Sequence, residues 1–566
     1  MALIACFISQ LTKYQERYHP ITGCIFAIFA TLLCLIKNND QNYSIMLRSL
    51  LLTLLAFMGI LAGASAQAQG WCGTSGEALS LITERLLANK EAYRQSPVQF
   101  RNTVYVPVTF HLVGRTDGSG VISKRRVMDQ FCTLNEDFAE VGIQFYIKDE
   151  LNYIFNTAVY SNHQNTLNSI MALNRDNGSV NIFIPESANQ GNAPGPSVVL
   201  GYNDPTPSRD WLVMSKSEIR KGGSTLSHEM GHWFSLLHPF NGWDSEPYDE
   251  AEHGNPVTLT TAPSPSLAPP NNFIPVEFVD RTNCNVSGDF LCDTPPDYNF
   301  GLGWPNCNYN AGTMDPNGEV IDVAEGLYMG YFLNCDRDEY FFSEDQKAMM
   351  IQDYNSSSRA YIRSGHIPNL TEYNEAPALL APADDEQLGF YNAVSFDWED
   401  TPGADFYLLE VASVNSFQEQ LVVYENFIYG SSKVVVGLQA NKTYYWRVTP
   451  MSAYRTCAPS SSVFKFQTGL AVNTTSNELA EQFNVMPNPL GSNQTLTVRL
   501  NANSRFTGSL SVTNLMGQQL RAYGRRDFAI GETTIELSLT GLQAGLYLVN
   551  LETEKGKLVQ KVVVTE

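Results

Sequence analysis

The stretch HEMGHWFSLLH, from His228 to His238, holds three of the chain's eight histidines. On a helix, His228 and His232 stand at i and i+4, about 6 Å apart along the axis and on one face. From there two imidazole nitrogens reach a single zinc ion at about 2.0–2.1 Å. Glu229 lies beside the first ligand without being a natural ligand itself, so it is placed to take a proton from zinc-bound water. His238 joins the same ion only if the helix stops, because a continued helix would carry it about 15 Å along the axis and onto another face. The chain must therefore bend between His232 and His238. Glycine makes such a left-handed bend at least cost, and serine at position 235 adds roughly 1–2 kcal/mol. Random placement of eight histidines would give this Glu-flanked triple spacing in roughly one chain in ten thousand.

The elements that must hold these residues are partly legible. WCGTSGEALSLITERLLANKEAYRQ reads as a helix ending near Ser96, and NTVYVPVTFHLVG as a strand opening a domain. SKRRVMDQFCTLNEDFAEVG has Val127, Phe131, Leu134 and Phe138 at helical spacing, and IQFYIKD and SVNIFIPES read as strands. This order predicts an α+β domain with a mixed sheet. STLS enters the histidine helix, and FSEDQKAMMIQDYN is a closing helix with Ser343 as N-cap. Between 240 and 325 the chain is rich in Pro, Asn, Asp and Gly, a long loop that needs staples or a function. Cys284, Cys292, Cys307 and Cys335 suggest two disulfides there, with three pairings open. Asp289 and Asp293 in that loop are candidate calcium ligands, since a hard cation takes oxygen donors; turn-forming aspartates are the alternative. Cys132, on an apolar helical face, is expected to be a buried thiol.

At 566 residues the chain is too long for one core, and several domains are expected. A net charge of −22 argues against nucleic-acid or anionic-membrane partners. The apolar run 21–36 is short for a spanning helix. A second run starts at Met46 with Arg48, an apolar centre, and Ala64 and Ala66 in the pattern of signal-peptidase cleavage. Residues 1–45 are thus expected to be mis-assigned upstream sequence and 46–66 a signal peptide, leaving no stable span in the mature chain. The rival reading keeps Met1 and two membrane-inserting segments. Export permits disulfides. The mature cysteine count is odd, so one thiol stays free or pairs with another chain. Beyond 370, short alternating strands at regular spacing predict two all-β sandwiches.

HEMGHWFSLLH resembles the extended HExxHxxGxxH zinc motif of metzincin metalloproteases, and most of all the pappalysin (cytophagalysin) group. GSTLSHEMGHWFSLLHPF, NCNVSGDFLCDTPPD, LYMGYFLNC and FSEDQKAMM carry the likeness across roughly 100–365. Ser235 and Gly330 depart from the group's pattern. The resemblance implies a metzincin-type protease domain with an active-site helix, Zn2+ held by His228, His232 and His238, and Glu229 as general base and acid in peptide hydrolysis. It also implies Met329 as the Met-turn beneath the metal, Tyr331 near the substrate carbonyl, and Ca2+ close to Asp289 and Asp293. Cys72, in WCGT, resembles the latency cysteine of such proteases, whose thiolate fills the open metal position; a bond to Cys132 or an inert thiol are the alternatives. FDWED…NKTYYWRVTP…FKFQTG resembles a fibronectin type III domain, with Trp398, Tyr407, Tyr445 and Trp446 in its core. PNP at 487–489, AGLYLV and the final KVVV resemble the C-terminal sorting domain of type IX secretion substrates.

The implied organisation is a pro-segment at 67–98 and a metalloprotease domain at 99–366. A fibronectin type III-like domain at 376–469 and a sorting domain at 480–566 follow. The implied partners are a protein or peptide substrate and the type IX machinery of a Bacteroidetes-type bacterium, with release to the medium or cell surface. A surface adhesin on a degenerate protease scaffold is the alternative from another class, and a zinc hydrolase of non-peptide carbonyls is a third.

Overall fold

The computed structural model describes residues 72–74, 76–97, 102–190, 199–265, 273–363, 371, 373–471, 480–491, 495–502, 505–515, 517–553 and 556–565. The expected upstream segment (1–45) and signal peptide (46–66) lie outside them. A front helix, Glu77–Gln95, precedes a six-stranded sheet. Its strands are β1 (Val104–Gly114), β2 (Ile143–Ile147), β3 (Asn152–Phe155), β4 (Val180–Ile184), β5 (Gly201–Asp204) and β6 (Trp211–Met214). The order is β2-β1-β4-β6-β5, with β3 also on β1. All pairings are parallel except β5 on β6. The long apolar run of β1 follows from its central place, buried on both faces. β5, reversed and outermost, is the edge nearest the histidine helix. The sequence reading missed β3, β5, β6 and the helical turns between Thr157 and Asn174, all short and weakly periodic.

The front helix is no loose appendage. Leu79, Ile82 and Leu86, spaced three and four apart, are at most 3% exposed and join the core. The closing helix, Glu344–Asn355, starts as predicted: Ser343 Oγ accepts from Gln346 N (3.2 Å), and Gln346 Oε1 accepts from Ser343 N (3.1 Å). Such a capping box is worth about 1 kcal/mol.

Two β-sandwiches follow. The first comprises β7 (Leu379–Ala381), β8 (Glu386–Gln387), β9 (Val394–Trp398), β10 (Phe406–Ala412), β11 (Val422–Ile428), β12 (Ser432–Val435), β13 (Thr443–Met451) and β14 (Phe464–Gln467). Its sheets run β11-β10-β13-β14-β8 and β12-β9-β7. Trp398, Tyr407 and Trp446 are buried as expected. Tyr445 is not a core residue: strand alternation on β13 turns Tyr444 inward with Trp446 and leaves Tyr445 half-buried. The second sandwich runs from Ala480 to Thr565 in sheets of three and five strands, with its own apolar core. Among the described residues, no helix is long and apolar enough to cross a membrane.

Cys132 is not a thiol. It is bonded to Cys457, which joins the helix Lys124–Asp137 to the first sandwich. The contact around it is extensive. Glu425 accepts from the backbone N–H groups of Lys124 (2.7 Å) and Arg125 (3.1 Å), Thr456 Oγ1 donates to Met128 O (2.9 Å), and Leu408 and Met451 enter the first core. The spacing of Cys132 suited an apolar face, and nothing local announced a partner 325 residues away.

Candidate metal centre

The histidine helix spans Thr225–Trp233 and is buried along its whole length. It ends where the sequence requires. Ser235 adopts a left-handed conformation (φ 68°), Leu236 N donates to Gly231 O, and Ser235 N donates to His232 O, both at 2.9 Å. This pair of bonds is a Schellman stop with serine in the glycine position. The serine hydroxyl has a use: its oxygen accepts from Asn89 Nδ2 of the front helix (2.9 Å), and the same amide reaches Asp353 Oδ1 on the closing helix (2.9 Å).

The bend returns His238 to the other two histidines. His238 Nε2 lies 3.0 Å from His232 Nε2 and 3.3 Å from His228 Nε2. The opposite nitrogens are all engaged: His228 Nδ1 with Tyr328 O (2.7 Å), His232 Nδ1 with Leu236 O (2.8 Å) and His238 Nδ1 with Asp244 Oδ1 (2.6 Å). Each Nδ1 meets an oxygen acceptor and so carries the proton, which leaves three Nε2 lone pairs facing one another in a buried space. Three converging lone pairs without donors repel, and a cation between them removes that repulsion. The donor set therefore fits Zn2+, with the outer bonds fixing tautomer and ring orientation. Burial holds the His228 and His232 imidazoles well down in basicity, which favours this neutral, ligating form.

Glu229 is fully buried. Its Oε2 accepts from Thr74 Oγ1 (3.2 Å) and Oε1 has no partner. Burial pushes its carboxyl up to about 8. Tyr331 packs its ring 5.1 Å from that of His238, its hydroxyl accepts from Cys72 N (3.3 Å), and burial raises its phenol so that it stays neutral. Met329 is fully buried against the histidine helix, and a Cβ at Gly231 would collide with its Sδ. Gly231, inside the motif, is thus fixed by the methionine beneath it.

Cys72 is the free cysteine among the described residues, half-buried. Its Sγ and the three histidine nitrogens lie within 4.8 Å of one another. The front segment is held there as a short addition to β5: Cys72 bridges Gly201 in parallel and Gly73 N donates to Gly201 O (2.8 Å). The four loop cysteines pair as Cys284–Cys292 and Cys307–Cys335.

The two loop aspartates part company. Asp293 uses both oxygens at the start of the closing helix, accepting from Ser343 Oγ (2.9 Å) and Asp345 N (2.7 Å). Asp289, 1% exposed, keeps Oδ2 without a partner, and burial pushes it up to about 7. Glu277 is likewise buried with Oε1 unpartnered, raised by burial and then by Asp289. Sequence reading missed Asp244, Gly231, Asn89 and Glu277. Only Gly231 had a local signal, a glycine between two ligands on a packed helix.

Residues 484–565 match the family model described as "Secretion system C-terminal sorting domain". Over 259 residues the chain is 26% identical to an "Extracellular metalloprotease" of Colletotrichum graminicola, covering 40% of this chain and 88% of that protein. Over 255 residues it is 25% identical to "Extracellular metalloprotease 1" of Coccidioides posadasii, covering 39% and 86%. A solved structure of fibronectin(III)-like modules of Clostridium thermocellum CbhA matches at 11% identity and a TM-score of 0.14, over 33% of this chain and 92% of that one. The chain thus carries a secretion-system sorting tail and is a distant relative of proteins named as extracellular metalloproteases.

Proposed function

We propose that the chain is a secreted zinc endopeptidase of the pappalysin type. The observation that carries this reading is the convergence of three buried Nε2 atoms, each ring held from behind, with an unpartnered Glu229 oxygen on the same helix. A zinc ion bound there supplies a Lewis acid that lowers the pKa of water and polarises a carbonyl. Glu229 Oε1 takes the proton of the attacking water and delivers it to the departing amine. Tyr331, neutral, donates a hydrogen bond from its hydroxyl to the carbonyl oxygen as negative charge develops there. Met329 sets the floor by packing on Gly231.

Residues 67–98 form a pro-segment whose Cys72 thiol takes the remaining metal position and keeps substrate and water out. The catalytic domain spans 99–366, a fibronectin type III-like domain 376–469 and a type IX sorting domain 480–566. The tail directs export from a Bacteroidetes-type bacterium to the surface or medium. Calcium beside Asp289 would engage its free oxygen, whereas both oxygens of Asp293 are already taken.

The test is zinc content by mass spectrometry with cleavage of casein by the secreted chain. One zinc per chain and cleavage lost by at least ~10³-fold in Glu229→Ala, with zinc retained, are expected. A chain that binds zinc yet cuts nothing after removal of its front segment would instead be an adhesin on a protease scaffold.

A further inference from the structure

Beside Glu229 a recess opens between the first turn of the histidine helix and the turn 328–333. Its walls are the rings of Tyr328 and Tyr340, stacked at 5.4 Å and 21°, with Leu200 from the β5 side and Leu333 at the rim, 37% exposed. The polar atoms of these walls are tied off. Tyr328 OH accepts from Arg337 Nη1 (2.7 Å), Tyr340 OH donates to Phe332 O (2.8 Å), and Thr225 Oγ1 donates to Glu218 Oε2 (3.1 Å). Glu229 is the single carboxylate on the lining. Behind Tyr328 the nearest cation, Arg337, is already paired with Asp137. At Gly330 an added Cβ would meet only Leu327 O (3.2 Å), so the turn presents bare backbone rather than a polar side chain. Cys72 stands on the same lining, so the front segment occupies the mouth of the recess in the intact chain.

We propose that this recess receives an uncharged, apolar side chain of the peptide substrate next to the scissile bond, with Tyr340 and Tyr328 as its specificity-determining walls. The proposal rests on the endopeptidase reading above. An aspartate side chain entering here would lose its hydration and meet no cation, and a lysine or arginine would meet only the Glu229 carboxylate at the recess edge, which the proposed reaction itself engages. A leucine, methionine or phenylalanine side chain would exchange water for aromatic and aliphatic surface. Selection of this kind in an apolar pocket amounts to about tenfold or more between side chains. Tyr340 decides the sign: a carboxylate in its place would convert the wall into a receptor for a cation.

The zinc-loaded secreted chain, after proteolytic removal of its front segment, is incubated with a random peptide library and the cut sites are read by mass spectrometry. In parallel, fluorescent peptides bearing Leu, Phe, Lys or Asp at the selected position are titrated into the Glu229→Ala chain, its front segment likewise removed by an added protease, which reports binding without turnover. Apolar residues should be favoured about tenfold over Lys, Arg and Asp on one side of the cut, with the same ranking in binding. Tyr340→Asp should raise Lys relative to Leu by about tenfold. Should that variant fail to fold, the library result on the unaltered chain decides alone. Efficient cutting with basic or acidic residues at that position, or with no preference, overturns the proposal and leaves the endopeptidase standing. A folded, zinc-loaded chain that cuts no peptide after its front segment is removed overturns the endopeptidase reading and this one with it.

Discussion

At the level of single residues, the centre depends on what lies behind each ligand. Asp244 holds His238 Nδ1 at 2.6 Å. Asp244→Asn should weaken zinc binding by roughly 10–100-fold, measured by competition with a chelator of known affinity; an unchanged affinity would deny Asp244 that role. A different histidine contributes to acid stability. His111 is fully buried on β1, its Nε2 on Asn181 Oδ1 (2.9 Å) and its Nδ1 on the amide of Asn152 (2.8 Å). That pattern needs the neutral ring, donating from Nε2 and accepting at Nδ1. Burial holds it down to about 4, while an unfolded chain titrates near 6.5. The unfolded state therefore binds the extra proton first. Stability from this site is complete above about pH 6.5 and is lost as pH falls toward 4. Thermal melts between pH 7 and 5 should show a His111→Gln chain losing less stability than the unaltered one, by about 2 kcal/mol at pH 5. Equal slopes would refute the assignment.

At the level of elements, the decisive feature is a helix that stops. Nine residues of histidine helix end at Trp233, and Ser235 turns left-handed so that His238 can return. Serine replaces glycine here at a cost in backbone strain, and the bond from Asn89 to its hydroxyl offsets part of it. Ser235→Val would add a β-branched side chain in that conformation and delete the hydroxyl. It should cost about 2–4 kcal/mol and lower zinc occupancy, whereas Ser235→Gly should stay within about 1 kcal/mol. Urea denaturation with zinc analysis checks both; similar values for Val and Gly would mean the bend is not set by this residue. The front helix is tied to the same place, because Asn89 joins Ser235 to the closing helix. The front helix, the bend at Ser235 and the closing helix thus share one buried network.

At the level of the whole molecule, the first sandwich is built into the body that holds the histidine helix rather than strung behind it. The Cys132–Cys457 bond closes a separation of 325 residues, and Glu425 caps the helix Lys124–Asp137. A Cys132→Ala/Cys457→Ala chain should lose about 2–5 kcal/mol, seen as a lower midpoint in guanidinium and faster proteolysis between the two bodies. An unchanged midpoint would make the bond incidental. The sorting tail is attached differently, by the ion pair Lys433–Glu552 (2.6 Å) and by bonds such as Asn514 Nδ2 to Asp117 O (3.0 Å).

The ligand spacing, Glu229 between two of those ligands, the need for a bend at Ser235, the capping box at Ser343 and most strands of both sandwiches were legible in the sequence, because each depends on neighbours within one or two helical turns or on strand alternation. The loop cysteines narrowed to two bonds by crowding alone, without their pairing. The partners of the rings were not legible: Asp244, the Tyr328 carbonyl, Asn89 and Glu277 belong to segments whose meeting no local pattern records. The same holds for Cys132, for Tyr445 against Tyr444, and for Asp293, which became a helix cap rather than a partner of Asp289. Local chemistry fixed which atoms could act. Only long-range packing, by deciding which distant polar groups lose water together, fixed what each of them faces.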